Sequence, residues 1–253
     1  MEQPLNKNDA LDQIPVQQPV GELLKAGARQ FGIEPDTAKV STLLEYKRIL
    51  LEWNKKMNLT AIEEERDFII KHLVDSLSIL PFIGGVNSLV DVGTGAGFPG
   101  IPLKIVQPSL QVVLMDSLEK RIGFLNAVIG ELKLTGITAV RSRAEDAGVS
   151  PVHREKYDAA AARAVASLPV LLEYCLPLVK TGGIFIAMKS SGTDEIKSSS
   201  KALELLGGKI EQVRDFTLPG SDMSRSIIIV RKFRQTPAKY PRKAGKPSKE
   251  PLT

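Results

Sequence analysis

The chain of 253 residues has few of the side chains that most often make cross-links, bind metals or act as catalysts: one cysteine, Cys175, and two histidines, His72 and His153. A single cysteine excludes an internal disulfide, and three scattered ligands make a structural zinc site implausible. No apolar run approaches the roughly 20 residues that a membrane-crossing helix needs. The first residues, MEQPLNKNDALDQIPVQQPVG, lack both the basic start and the apolar stretch of a secretory signal. These absences lead us to expect a cytoplasmic protein with no membrane partner. Apolar and charged fractions of 43% and 25% are those of an ordinary globular chain, long enough to bury a sizeable core.

The net charge of +5 is distributed unevenly. From Arg231 to Thr253 there are eight basic residues and one acid, a local charge of +7, which leaves 26 basic against 28 acidic residues elsewhere. A basic end of this kind points to a polyanionic partner, with a merely solvating tail as the plain alternative.

Residues 1–19 are rich in Gln, Pro, Asn and Asp without periodicity and read as disordered. Residues 20–83 read as a helical extension. Leu43, Leu44, Lys47, Leu50, Leu51, Asn54 and Met57 trace one strip at helical spacing, and Phe68, Ile69, Leu73, Ser76, Leu77 and Leu80 another. Thr60 and Glu63 suit a capping box at the head of the second. From residue 84 to 233, seven short apolar runs alternate with helical stretches, the pattern of βαβ units and a mainly parallel sheet. Only a Pro219-Gly220-Ser221 turn separates the last two runs, as in a closing antiparallel hairpin.

The strongest local signal is Leu89-Val90-Asp91-Val92-Gly93-Thr94-Gly95-Ala96-Gly97-Phe98-Pro99-Gly100, where a strand ends and a helix begins. Glycines there allow a sharp turn and close approach of the backbone to a ligand. A dinucleotide fingerprint requires a third glycine where this chain has Phe98, and no P-loop is present. A ring at that position suits packing against an adenosyl group, and S-adenosylmethionine (SAM) brings no phosphate to cradle. The loop therefore favours SAM. Asp116 ends the next strand, 23 residues after Gly93, where a carboxylate can accept both hydroxyls of a ribose. After the third strand come Ala144, Glu145 and Asp146, where an acid could accept the adenine amino group; an ordinary helix cap is the alternative.

Six ordered segments now become informative together: WNKKMNLTAI, KHLVDSLSIL, LVDVGTGAGFPGIPLKI, LMDSLEKRIGFL, ARAVASLPVLLEYCLPLVKTGG and YPRKAGKPSKEPL. Across about residues 20 to 252 the chain resembles the 16S ribosomal RNA guanine-N7 methyltransferases, also called glucose-inhibited division protein B. The resemblance implies an α/β fold of the class I SAM-dependent (Rossmann-like) kind, with a seven-stranded, mainly parallel sheet whose last strand is antiparallel. It places SAM contacts at Gly93 and Phe98, at Ala144 and Glu145, and at Arg163, which could hold the methionine carboxylate or an RNA phosphate. The glycine turn and the end of the next strand themselves add Gly95 and Asp116 to the expected cofactor set. It implies 16S ribosomal RNA or the small ribosomal subunit as partner, with Arg231, Lys232, Lys239, Arg242, Lys243 and Lys246 as candidate RNA contacts. The family usually shows a glycine after the strand ending at Lys189, where this chain has Ser190-Ser191, and often a histidine where Ser226 stands.

Guanine N7 has an exposed lone pair and loses no proton on methylation, so no catalytic base or nucleophile is expected. Cys175 reads as core, and His72 and Asp75, one turn apart, are candidates for shaping the cofactor or guanine pocket. Prolines at 237, 241 and 247 lead us to expect an extended basic arm over 234–253, whose removal after Phe233 would weaken RNA binding and spare SAM affinity. Nothing demands more than a monomer. An NAD(P)-dependent oxidoreductase and a non-catalytic RNA-binding assembly factor are the competing readings.

Overall fold

A computed structural model describes residues 19–190 and 193–253, so the expected disorder of 1–19 lies outside it except for Pro19. In chain order the elements are α1 (Val20–Arg29), α2 (Thr37–Met57), α3 (Glu65–Phe68), a π-helical turn (Ile69–Val74), α4 (Asp75–Leu77), β1 (Ser88–Val92), α5 (Gly100–Val106), β2 (Gln111–Asp116) and α6 (Glu119–Glu131). They continue with β3 (Ile137–Arg141), α7 (Ala144–Val149), β4 (Tyr157–Arg163), α8 (Leu168–Cys175), β5 (Val179–Lys189), α9 (Thr193–Lys197), α10 (Ser200–Leu206), β6 (Gly208–Thr217), β7 (Ser224–Lys232) and α11 (Lys246–Lys249). One seven-stranded sheet runs β3-β2-β1-β4-β5-β7-β6. All neighbours pair in parallel except at β7, which is antiparallel to both β5 and β6.

The inner strands β1, β2, β4, β5 and β7 are largely apolar because both faces of the sheet are covered there, whereas the edge strand β6 is mostly polar and exposed. Alternation sends successive side chains to opposite layers. Leu89, Leu114, Ala159, Ala161, Ile184, Ile186 and Ile229 face the layer built by α1, α2, α5 and α6. Val90, Met115, Ala160, Ala162, Phe185, Ala187 and Val230 face the layer of α7, α8 and α10. The N-terminal helices are thus continuous with one apolar core of the sheet: Leu43, Tyr46, Leu50, Phe68 and Leu73 all lie in it. No helix among the described residues is long and apolar enough to cross a membrane.

One helical stretch is divided, and one local expectation, the capping box, is corrected. The helical stretch after β5 is two helices, α9 and α10, because the hydroxyls of Ser198 and Ser199 bond back to the Glu195 carbonyl and compete with the helical pattern. Glu64, not Thr60, caps α3, accepting from the N–H groups of Arg66 and Asp67. Thr60 and Glu63 serve another purpose: Asn54 of α2 donates to the Thr60 carbonyl and the Glu63 carboxylate, and accepts from the N–H groups of Leu59 and Thr60.

The largest correction concerns the C-terminus. Residues 234–253 are not an extended arm; they fold back on the α7–α8 layer and contain the short helix α11. Tyr240 and Leu252 join its apolar cluster. Arg154 donates to the carbonyls of Gly148, Thr236 and Tyr240 at 2.6–2.8 Å, tying the segment down by its backbone. Arg242 clamps Glu173, a fully buried carboxylate, with Nε at 2.9 Å and Nη2 at 2.6 Å, and its own N–H donates to the same group.

An unpaired buried charge is costly, so removing one partner of this clamp should hurt more than removing both. Arg242→Met is expected to lower stability by about 3 kcal/mol. Adding Glu173→Gln should restore much of that loss. Urea unfolding of the single and double variants checks both statements.

Candidate functional site

Parallel strands leave their carboxyl ends open along one edge of a sheet, and here that edge holds two adjoining cavities. The first, about 370 Å³, lies over β1, β2 and β3. Gly93, Asp116, Ala144 and Glu145 line it, together with Val165, Tyr174, Gly245 and Ser248. The second, about 300 Å³, lies between the π turn of the N-terminal helices and the ends of β4, β5 and β7. Lys71, His72, Asp75, Arg163, Lys189 and Arg225 line it. Ala164, which follows β4 at φ 56°, is common to both walls.

The turn after β1 is held from three directions. From beneath, the buried Asp91 carboxylate accepts from the Thr94 hydroxyl at 2.6 Å and the Gly100 N–H at 2.8 Å. From the next strand, Asp116 accepts from the Gly95 N–H at 3.1 Å. From the N-terminal layer, the Tyr46 hydroxyl donates to the Ala96 carbonyl. Glycine is required at two places in particular. Gly97 sits at φ 98° with Ile101 and the Tyr46 hydroxyl where a Cβ would go, and a Cβ on Gly100 would strike Leu114 and Asp91. Burial pushes the Asp91 carboxyl up to about 6, outweighing the Thr94 and Gly100 hydrogen bonds and the Arg163 charge, and its Oδ1 has no hydrogen-bond partner among the described residues.

Asp116 is nearly buried at the end of β2, with Leu118 N–H on Oδ1 and Arg121 on Oδ2, both at 3.0 Å. Glu145, in the first turn of α7, accepts from the Gly245 N–H at 2.9 Å. Two carboxylates lining one cavity supply acceptors that hydroxyl or amine donors of a ligand could use.

Three of the expected cofactor residues do not line the first cavity; one of them, Gly95, is engaged within the turn, its N–H on Asp116. Phe98 is buried under the turn, not in the first cavity: its ring stacks on His72 at 4.5 Å and meets Tyr46 at 5.4 Å. The Arg163 guanidinium lies over the Phe98 ring, 4.9 Å from its centroid. An apolar ring in a loop flanked by aromatic helices gains more from that interface than from solvent or ligand. Arg163 lines the second cavity, donating to the Lys71 carbonyl at 3.1 Å and to Asp75 at 2.9 Å. Asp75 also accepts from Arg225 Nε at 2.9 Å, so one buried carboxylate bridges two arginines from β4 and β7.

Arg163 also fixes the state of His72. Its Nη2 is 3.2 Å from His72 Nδ1, which must accept; Nε2 then carries the proton and donates to Thr60 Oγ1 at 2.7 Å. Burial, with the Arg163 charge beside it, lowers the His72 pKa to about 3.

The candidate RNA set divides. Lys232 is fully buried, on Glu155 and the carbonyls of Leu176 and Val179, and so cannot face a polyanion. Arg231 is paired with Glu211 at 2.6 and 3.0 Å, and Arg242 with Glu173, so both serve the fold. Lys239, Lys243 and Lys246 are exposed. Sequence reasoning missed Tyr46, Asp91 and Arg225, and the two C-terminal residues in the first cavity wall. Ser226 is buried on β7 opposite Lys189, Ser190 lines the second cavity, and Ser191 lies outside the described residues.

The sheet order, the glycine turn after β1 and the carboxylate ending β2 define a class I SAM-dependent methyltransferase. The fold matches that of the [4+2]-cyclase SpnF, at a TM-score of 0.54 and 14% identity over 79% of this chain and 97% of that one. The profile of the rRNA small subunit methyltransferase G family (GidB) matches residues 39–227, and the chain belongs to that family. It is 60% identical over 233 residues to the ribosomal RNA small subunit methyltransferase G of Acetivibrio thermocellus, covering 92% of this chain and 96% of that protein. Proteins of the same name from Alkaliphilus oremlandii and Clostridium botulinum are 52% and 46% identical, each over 91% of this chain and 98% of their own length. The oxidoreductase and non-catalytic readings are thereby set aside.

His72 supplies a pH test. The unfolded ring takes up a proton near 6.5, whereas the folded ring resists until about 3, so its contribution is complete above 6.5 and falls as pH drops through that window. The raised Asp91 works in the opposite sense, losing stability as pH rises from 3.8 through about 6. His72→Gln removes only the first effect. The variant should lose about 2 kcal/mol less than the parent between pH 7 and pH 5, measured by urea unfolding.

Proposed function

We propose that this enzyme transfers the methyl group of SAM to N7 of a guanine in the RNA of the small ribosomal subunit, with the adenosyl group in the first cavity and the guanine in the second. The observation that carries the reading is the adjacency of the two cavities across Ala164. A ligand in one meets a ligand in the other only along that border, beside Gly93 and Val165.

In the first cavity Asp116 would accept from the ribose hydroxyls and Glu145 from the adenine amino group, while Gly93, whose missing side chain leaves room for Val165, would border the amino-acid part of the donor. SAM supplies an electrophilic methyl on sulfur; the N7 lone pair forms the new bond as the carbon–sulfur bond breaks and its electron pair stays on sulfur. N7 carries no hydrogen, so no residue need take a proton. The side chains contribute alignment and exclusion of water, which together can be worth several kcal/mol.

The second cavity is suited to a base rich in acceptors. Arg225 Nη2 makes no hydrogen bond among the described residues and is available to the guanine O6, while Asp75 fixes that guanidinium through Nε. The exposed Lys239, Lys243 and Lys246 would meet phosphates. One chain carries both cavities, so a monomer suffices. The reading places the protein in the cytoplasm beside its ribosomal substrate.

Small subunits lacking the modification, incubated with the protein and labelled SAM, should gain label in 16S RNA, and borohydride–aniline treatment should then cut at one 7-methylguanine. Label confined to protein or to other positions of the RNA would defeat the proposal. Arg225→Ala should lower kcat/KM for the subunit about 10- to 100-fold, the worth of a charged hydrogen bond. Its affinity for S-adenosylhomocysteine should stay within about twofold of the parent.

A further inference from the structure

The C-terminal segment enters the wall of the first cavity, where no glycine motif or strand end leads one to look. Gly245 and Ser248 both line it. Ser248 Oγ is 2.8 Å from the Tyr174 hydroxyl, and the Gly245 N–H donates to Glu145 Oε1 at 2.9 Å. Glu145 is 7% exposed, and its Oε2 has no hydrogen bond among the described residues. Gly245 stands at φ 80°, a conformation that side chains disfavour, and this turn aims its N–H inward. The clamps at Arg154 and Arg242 and the buried Leu252 hold the turn on either side.

We propose that this segment is a built part of the adenine site and sets its specificity: the Gly245 N–H fixes one oxygen of Glu145 so that the other accepts from the exocyclic amine of adenine. The inference rests on the assignment of the first cavity to the adenosyl group. A carboxylate held in this way rewards a donor at position 6 of the purine and penalises an oxo group, whose lone pairs would face its own. A carboxylate free to rotate into solvent would lose most of that discrimination. Gly245 is therefore a positioning residue acting through Glu145.

The test is the ratio of affinities for S-adenosylhomocysteine and S-inosylhomocysteine, measured by calorimetry. It is read on the full chain, on a chain ending at Ala244, and on full-length Glu145→Gln. The full chain should prefer the adenosyl compound by about 10- to 100-fold. The shortened chain should bind both with a ratio within about threefold of unity, and Glu145→Gln, whose amide donates to an oxo group, should reverse the preference. If the shortened chain fails to fold by circular dichroism, Gly245→Ala takes its place. That change strains the left-handed turn while its Cβ meets nothing. A shortened or Gly245→Ala protein that folds and keeps the full ratio overturns the inference, as does an unchanged preference in Glu145→Gln. A full chain that binds neither compound overturns instead the assignment of the cavity.

Discussion

The turn that follows β1 has to reverse the chain tightly enough for α5 to pack back on the sheet while leaving its outer side open. Its own residues cannot hold such a shape, because glycines supply freedom and no contacts. The fixing groups come from elsewhere: Asp91 below, Asp116 on the neighbouring strand and Tyr46 on a helix fifty residues earlier. The Asp91 carboxylate is wholly enclosed, with two hydrogen-bond donors among the described residues, and burial raises its pKa despite them. Both cavities depend on this turn, since Gly93 forms one wall of the first and Phe98, beneath it, carries the His72–Arg163 cluster of the second.

The N-terminal helices and the C-terminal segment can then be understood as two halves of one arrangement. The first brings Lys71, His72 and Asp75 to the second cavity through a π-helical turn, a widened geometry that alters which side chains share a face. The second brings Gly245 and Ser248 to the first cavity. Neither is an appendage on a finished methyltransferase domain, because each supplies wall residues that the sheet alone does not.

The sequence disclosed the sheet clearly, because apolar runs of strand length alternating with helical ones admit few other arrangements, and the Pro219-Gly220-Ser221 turn marked the antiparallel hairpin. Gly93, Asp116, Ala144 and Glu145 could be located for a related reason: each sits at a strand or helix end where the chain has to turn. What could not be read was the direction in which side chains face once layers pack. Phe98 looked like a ligand contact from its place in a glycine motif, but three aromatic neighbours from distant segments claim it. Counting charge also misled: Lys232 and Arg242 sit in a basic run, yet each neutralises a buried or half-buried glutamate more than fifty residues away. Prolines at 237, 241 and 247 exclude a long helix but not a folded path, and Arg154 fixes that path through carbonyls that no sequence pattern marks.

The central claim is the division of labour between two adjoining cavities, and a crystal structure with S-adenosylhomocysteine tests it directly. The account predicts the ribose on Asp116 and the adenine amine at Glu145, with Phe98 and Arg163 making no contact with the adenosine. Adenosine stacked on Phe98, or lodged between His72 and Arg225, would contradict it.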